Sequence, residues 1–293
     1  MGNVERLPAR SADRVAVLLN ANARSVSDAL KRELENFVPP EDLYYSRCFD
    51  DARSISRQVL DKGYRTVLTG GGDGTFVGYV NCLFEQAQQP RVDTARGALK
   101  LIPVPVGEIL MPRFGVLKLG TGNAVADYVG ASGRRLGVVE DILRARSGEV
   151  SVGRPLHLIV HEGKRAPFAG LGIDAAVLND YVSMKHHVGH GGFGFRAFPH
   201  ALRAPGRFQL RLTAIGVPRI LTNLRTLWRG GPPPAGVLDF HCEKVSVRFD
   251  REMPLQVGGD AEGYRREVIF EMAERPLEVL DFRSRQSLSN VSM

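Results

Sequence analysis

One acid sits inside a run of glycines. The stretch "VLTGGGDGTF" (67–76) places Asp73 among Gly70, Gly71, Gly72 and Gly74, with Thr75 closing the run. Glycines let a ligand come close to the main chain, and successive amide N–H groups in such a turn form an anion cradle. A strand-like apolar run precedes the turn. A helical pattern follows from Thr75, and its N-terminal dipole favours negative charge. Phosphate is the ligand class this grammar suits. Asp73 alone would repel phosphate, so it reads as a partner for magnesium or as acceptor of a proton from an attacking hydroxyl.

The grammar recurs at "LGTGNAVA" (119–126): strand, glycine turn, small hydroxyl, helix. Gly120 and Gly122 open the backbone, and Thr121 and Asn123 offer groups to phosphate oxygens or ribose. Two such turns at the carboxyl ends of neighbouring parallel strands converge on one crevice. The first strand ends in "LLNANAR" (18–24), which brings Asn20 and Asn22 to the same sheet edge. Competing motifs are weak. No G-x-x-x-x-G-K-[ST] occurs. The G-x-G-x-x-G at Gly189, Gly191 and Gly194 follows no strand and reads as a loop. His186, His187 and His190 in that loop read as solvated side chains and not as a metal cluster.

The elements that must position these turns follow from periodicity. "RVAVLLN" (14–20), "DLYYSR" (42–47), "RTVLT" (65–69) and "GVLKL" (115–119) read as strands. "SVSDALKRELENF" (25–37), "DDARSISRQVLDKG" (50–63), "TFVGYVNCLFEQAQ" (75–88) and "LGVVEDILRARSG" (136–148) read as helices. Alternation of this kind implies a parallel sheet with helices on its faces. The proline-marked stretch 90–114 interrupts the rhythm as an insertion or hairpin-like excursion. From about residue 149 the pattern becomes strand-like, with polar and apolar residues alternating as in antiparallel sheets. The expected fold class is α/β plus β: an N-terminal parallel α/β domain over 1–148, then an antiparallel β-sandwich domain over 149–293, its last residues packing back on the first.

Bulk composition narrows the partners. With 293 residues, 43% hydrophobic and 24% charged, the chain reads as a globular protein with room for one large core or two modest ones. Three widely separated cysteines argue against a disulfide framework. With no secretory signal pattern, the expectation is a reduced, cytoplasmic protein. The net charge of +7 is concentrated: Tyr181 to Leu238 holds eight cations and no acid. That span suits an anionic partner such as lipid head groups or phosphate. It shows no nucleic-acid recognition module, so no nucleic acid is expected. Within it, "PRILTNLRTLWRGG" (218–231) gathers apolar residues on one helical face flanked by arginines. Such a helix rests on an anionic membrane or packs on the β domain.

Four segments, in order along nearly the whole chain, resemble the diacylglycerol kinase catalytic domain superfamily, which includes bacterial soluble lipid kinases, sphingosine kinases and ceramide kinases. They are "GGGDGT" (70–75), "LGTGN" (119–123), "FAGLGIDAAV" (168–177) and "PLQVGGDAEG" (254–263). Ala261 stands where the family usually has glycine, "NANAR" replaces an Asn-Pro form, and Ala124 stands where diacylglycerol kinases often have Asp. The resemblance implies an ATP-dependent, magnesium-requiring phosphotransferase. Its N-terminal domain binds nucleotide, its C-terminal domain carries a lipid pocket, and the cleft between them holds the reaction.

On that resemblance Asn20, Asn22, Thr69, Gly70, Gly71, Gly72, Gly74, Thr75, Gly120, Thr121, Gly122, Asn123 and Glu262 are assigned to nucleotide. Asp174 is assigned to the hydroxyl end of the lipid. The general base is Asp73 by the sphingosine kinase analogy, slightly preferred, or Asp260 by the bacterial diacylglycerol kinase analogy. The acceptor is a diacylglycerol- or sphingosine-like lipid at a membrane surface, which places the protein peripherally on the inner face. The competing readings are an NAD kinase-like phosphotransferase, disfavoured by the missing Asn-Glu dipeptide after the second loop, and a catalytically silent sensor of nucleotide or lipid.

Overall fold

A computed structural model describes residues 14–89, 91–93, 100–102, 111–150, 153–172, 175, 207–213, 222–223 and 234–284. Five helices are described: α1 Asp28–Leu34, α2 Phe49–Asp61, α3 Asp73–Gln88, α4 Ala124–Tyr128 and α5 Arg135–Arg146. Fifteen strands are described. The N-terminal ones are β1 Val15–Asn20, β2 Leu43–Ser46, β3 Thr66–Gly71, β4 Arg91–Asp93, β5 Lys100–Ile102 and β6 Arg113–Lys118. Next come β7 Gly153–Leu156, β8 Ile159–His161, β9 Lys164–Ala166, β10 Ala169–Leu171 and β11 Phe208–Thr213. The last are β12 Val237–Cys242, β13 Lys244–Val257, β14 Asp260–Met272 and β15 Leu277–Leu280.

The main sheet has six strands in the order β2-β1-β3-β6-β15-β7. The first five run parallel, and β7 joins antiparallel to β15. The parallel sheet expected from the sequence is therefore mixed at one edge. The expected boundary at residue 148 falls before β7, which pairs within this first sheet. Strands β1 and β3 are almost wholly buried, as strands covered on both faces must be. Helix α3 buries Phe76, Val77, Tyr79, Val80, Cys82 and Leu83. Phe76 meets Phe114 of β6 edge-to-face at 5.7 Å. Helix α1 starts at Ser27, whose hydroxyl accepts the Leu30 amide at 3.2 Å. The 90–114 excursion contains the antiparallel pair β4–β5.

A second sheet is antiparallel, in the order β10-β13-β14-β8-β9, and β11–β12 form a separate ribbon. The chain passes from the first sheet to the second at His157 and Leu158 and returns through β15. Two tight hairpins shape the second sheet. Glu162 and Gly163 join β8 to β9, and Gly258 and Gly259 join β13 to β14; all four have positive φ, the geometry that matches strand twist in a two-residue turn. Among the described residues no helix is long and apolar enough to cross a membrane.

Candidate active site

The two glycine turns lie back to back. A side chain at Gly120 would begin 2.2 Å from the Gly72 Cα, so only bare backbone permits the contact. The Asp73 amide donates to the Gly122 carbonyl at 3.1 Å, and the Leu119 amide donates to the Gly71 carbonyl at 3.2 Å. The Asp73 carboxylate completes the join. One oxygen accepts the Ala124 amide and the other the Val125 amide, each at 2.9 Å. Those amides open α4 and have no partner inside the helix. Asp73 is 7% exposed, so both oxygens are committed to holding the second turn on the first.

Asn123 braces its own turn. Its Oδ1 accepts the Gly120 amide at 3.0 Å and its Nδ2 donates to the Gly120 carbonyl at 2.7 Å. Asn20 donates from Nδ2 to the Thr75 hydroxyl at 2.9 Å, tying the end of β1 to the start of α3. Asn22 is exposed and donates to the Arg47 carbonyl at 2.6 Å. Thr69 and Gly70 are buried within β3; the Thr69 hydroxyl meets the Gly115 carbonyl at 3.4 Å, and Gly70 faces Leu19. Gly71 is buried against Thr75. Gly72, Gly74, Thr75, Gly120 and Gly122 are half-buried, and Thr121 is exposed. Asp174 lies outside the described residues, as does the 186–194 loop and all of 218–231 except Thr222 and Asn223.

The late acids reach the same place from the second sheet. The Gly258–Gly259 turn rests on α3, with Gly259 near the Asp73 Cβ and the Gly74 amide, and the Gly258 amide donates to the Phe168 carbonyl at 2.9 Å. The turn carries Asp260 over the first turn of α3, where its Oδ1 faces Gly74. A carboxylate there is favoured by the helix dipole.

Lys164 of β9, which motif reading passed over, joins the cluster. Its ammonium donates to Asp260 at 3.0 Å and to Glu262 at 2.5 Å. Burial opposes its charge, yet the two carboxylates outweigh that and hold its pKa above the ordinary lysine value. A cation is thus fixed one carboxylate away from the glycine turn. "HEGK" carries the only local signal, a two-residue turn before the lysine; the partners lie about a hundred residues further on.

The carboxylates of the site are already engaged, Asp73 by amides and Asp260 and Glu262 by Lys164. Among the described residues no three His, Cys, Asp or Glu side chains group to hold a metal. As placed, these side chains do not make a resident magnesium site.

No curated protein matches the chain significantly. Among solved structures, a candidate diacylglycerol kinase from Bacillus anthracis str. Sterne is 14% identical with a TM-score of 0.62; the match covers 93% of this chain and 98% of the other. A crystal structure of a diacylglycerol kinase from the same strain is 12% identical with a TM-score of 0.59 and the same coverage. At such identities the likeness is one of fold. The sequence model of the diacylglycerol kinase catalytic domain matches residues 14–155, the span that holds both glycine turns. Over residues 14–155, just under half of its length, the chain is therefore similar to the diacylglycerol kinase catalytic domain family.

Proposed function

We propose that the protein is an ATP-dependent lipid kinase, transferring the γ-phosphate to a hydroxyl of a diacylglycerol- or sphingosine-like acceptor. The observation that carries this reading is the meeting of a helix N-terminus, a cation and a half-exposed carboxylate at one point: α3, Lys164 and Asp260. Phosphoryl transfer asks the protein for positioning and charge neutralisation more than for covalent chemistry. The first amides of α3 and the turn before it receive phosphate oxygens. Lys164 supplies the positive charge that a phosphate-loop lysine supplies elsewhere.

The base is Asp260. Its side chain is 47% exposed, so an incoming hydroxyl reaches it, whereas Asp73 has both oxygens on α4 amides. Asp73 and Asn123 hold the two turns together. Similarity to the family implies ATP and a divalent metal; positioning, neutralisation by Lys164 and proton acceptance by Asp260 are tasks of the chain's own side chains. In this reading the N-terminal sheet and helices hold nucleotide, and the antiparallel C-terminal strands, arranged as a sandwich, take the lipid. The acid-free span from Tyr181 to Leu238 suits anionic head groups, so the enzyme works peripherally on the cytoplasmic face of a membrane.

The test is incubation with labelled ATP, magnesium and a panel of diacylglycerol, monoacylglycerol, sphingosine and NAD. Label on a lipid supports the reading. Label on NAD alone overturns the lipid assignment. ATP binding without label on any acceptor makes the protein a silent sensor.

A further inference from the structure

Asn81 lies on α3 eight residues past Asp73, and its side chain grips the main chain of one residue in β9. Its Oδ1 accepts the Arg165 amide at 2.8 Å, and its Nδ2 donates to the Arg165 carbonyl at 2.8 Å. The same Nδ2 also donates to the Val77 carbonyl at 2.8 Å, which pins the amide to its own helix. Among the described residues β9 is an edge strand, paired with β8 alone. The backbone groups of Arg165 that face away from β8 need partners. A primary amide has the shape of a peptide group, so Asn81 serves as a neighbouring strand one residue long.

Lys164 is the adjacent residue. A ring of contacts therefore closes on itself. Helix α3 holds Arg165 through Asn81; the preceding residue, Lys164, holds Asp260; and Asp260 faces Gly74 at the start of α3. The Arg165 amide belongs to the peptide bond that joins it to Lys164, so the grip fixes the point from which the flexible lysine stem departs. We propose that Asn81 is a positioning residue that sets Lys164 against Asp260 and Glu262 beside the glycine turn. This rests on the phosphotransfer reading for its kinetic consequence only; the geometric consequence stands without it.

The test has two arms. In the first, the folded protein is treated with an acetyl N-hydroxysuccinimide ester, and Lys164 acylation is followed by peptide mass mapping against the exposed Lys244. Asn81→Ala is expected to speed Lys164 acylation on the order of tenfold, the scale of losing about one net hydrogen bond. Arg165→Ala is the control: it removes the guanidinium that lies 4.2 Å over the Phe84 ring but leaves the backbone grip intact. It is expected to change the rate far less. If Asn81→Ala speeds acylation no more than Arg165→Ala, the grip is ordinary packing and the proposal falls. If Asn81→Ala does not fold by circular dichroism, Asn81→Asp, which can still accept the Arg165 amide, is read in the same assay.

In the second arm, Asn81→Ala lowers kcat in the native background and has no further effect in Lys164→Ala; additive losses overturn the proposal. Should the wild type transfer no phosphate to any acceptor, the function proposed above fails, and the acylation arm still decides for or against Asn81.

Discussion

An Asp260 carboxylate oxygen lies 2.7 Å from the point where a side chain at Gly74 would begin. Two residues separated by most of the chain thus share one space, and the smaller leaves room for the larger. Gly74→Ala fills that room. Alanine suits the first turn of α3 better than glycine by about 1 kcal/mol, and the Asp260 carboxylate can swing aside. The melting temperature should hold or rise slightly. Turnover should fall about a hundredfold, the usual effect of misplacing a reacting group by about 1 Å. Thermal melts and phosphotransfer rates on the same preparation check both halves.

Asp73→Asn should act on stability. The amide oxygen can still accept one α4 N–H, but its NH2 group then faces the other, leaving a buried donor unmatched. The expected loss is about 1–3 kcal/mol. Calorimetry should show a clear drop in melting temperature. An unchanged melting temperature with abolished turnover would return Asp73 to the role of base.

Asp260→Asn should do the reverse. The site is half open and Glu262 remains to hold Lys164, so the fold is little affected. Loss of the proton acceptor should lower kcat by about 10²–10⁴-fold. Steady-state kinetics against the wild type, with melting curves matched, measures the difference.

Asp141 makes stability depend on pH. It is 4% exposed; burial pushes its carboxyl up to about 6, against partial relief from the Ser132 amide at 2.7 Å and from Arg144. A carboxyl whose folded pKa is raised binds its proton more tightly when folded. Its contribution is therefore most favourable below the ordinary value of 3.8 and declines as pH rises through about 6. The decline is on the order of 2–3 kcal/mol, complete above pH 6. Asp141→Asn should remove it. Urea melts of both proteins between pH 4.5 and 8 should diverge with rising pH, the variant becoming the more stable.

What the sequence disclosed was local. The glycine turns, α2, α3 and the strands leading into them follow from strand–glycine–helix order, which a short window contains. Asp73 was legible as an acid in a glycine turn. Its hydrogen bonds were not, because residue type does not reveal that α4 amides occupy both oxygens. Lys164 was not legible, because its worth depends on two hairpins that bring residues a hundred positions apart to one point. The run 149–163 looks like one strand, yet His157 and Leu158 divide it between two sheets; apolar alternation carries no record of which sheet a strand joins.

Strand β15 sits between β6 and β7, inside the sheet that β1 begins. A ribosome making this chain has passed the whole of the second sheet before the first sheet's fifth member exists. Until Leu277–Leu280 emerges, β6 presents an open edge and β7 has no neighbour in that sheet. The nascent N-terminal half thus waits for its own distant tail, and a product cut short before Leu277 should be prone to sticking edge to edge. The glycine turn after β6 would then be placed by an unfinished sheet, so competence to grip a ligand would come only once β15 is in place.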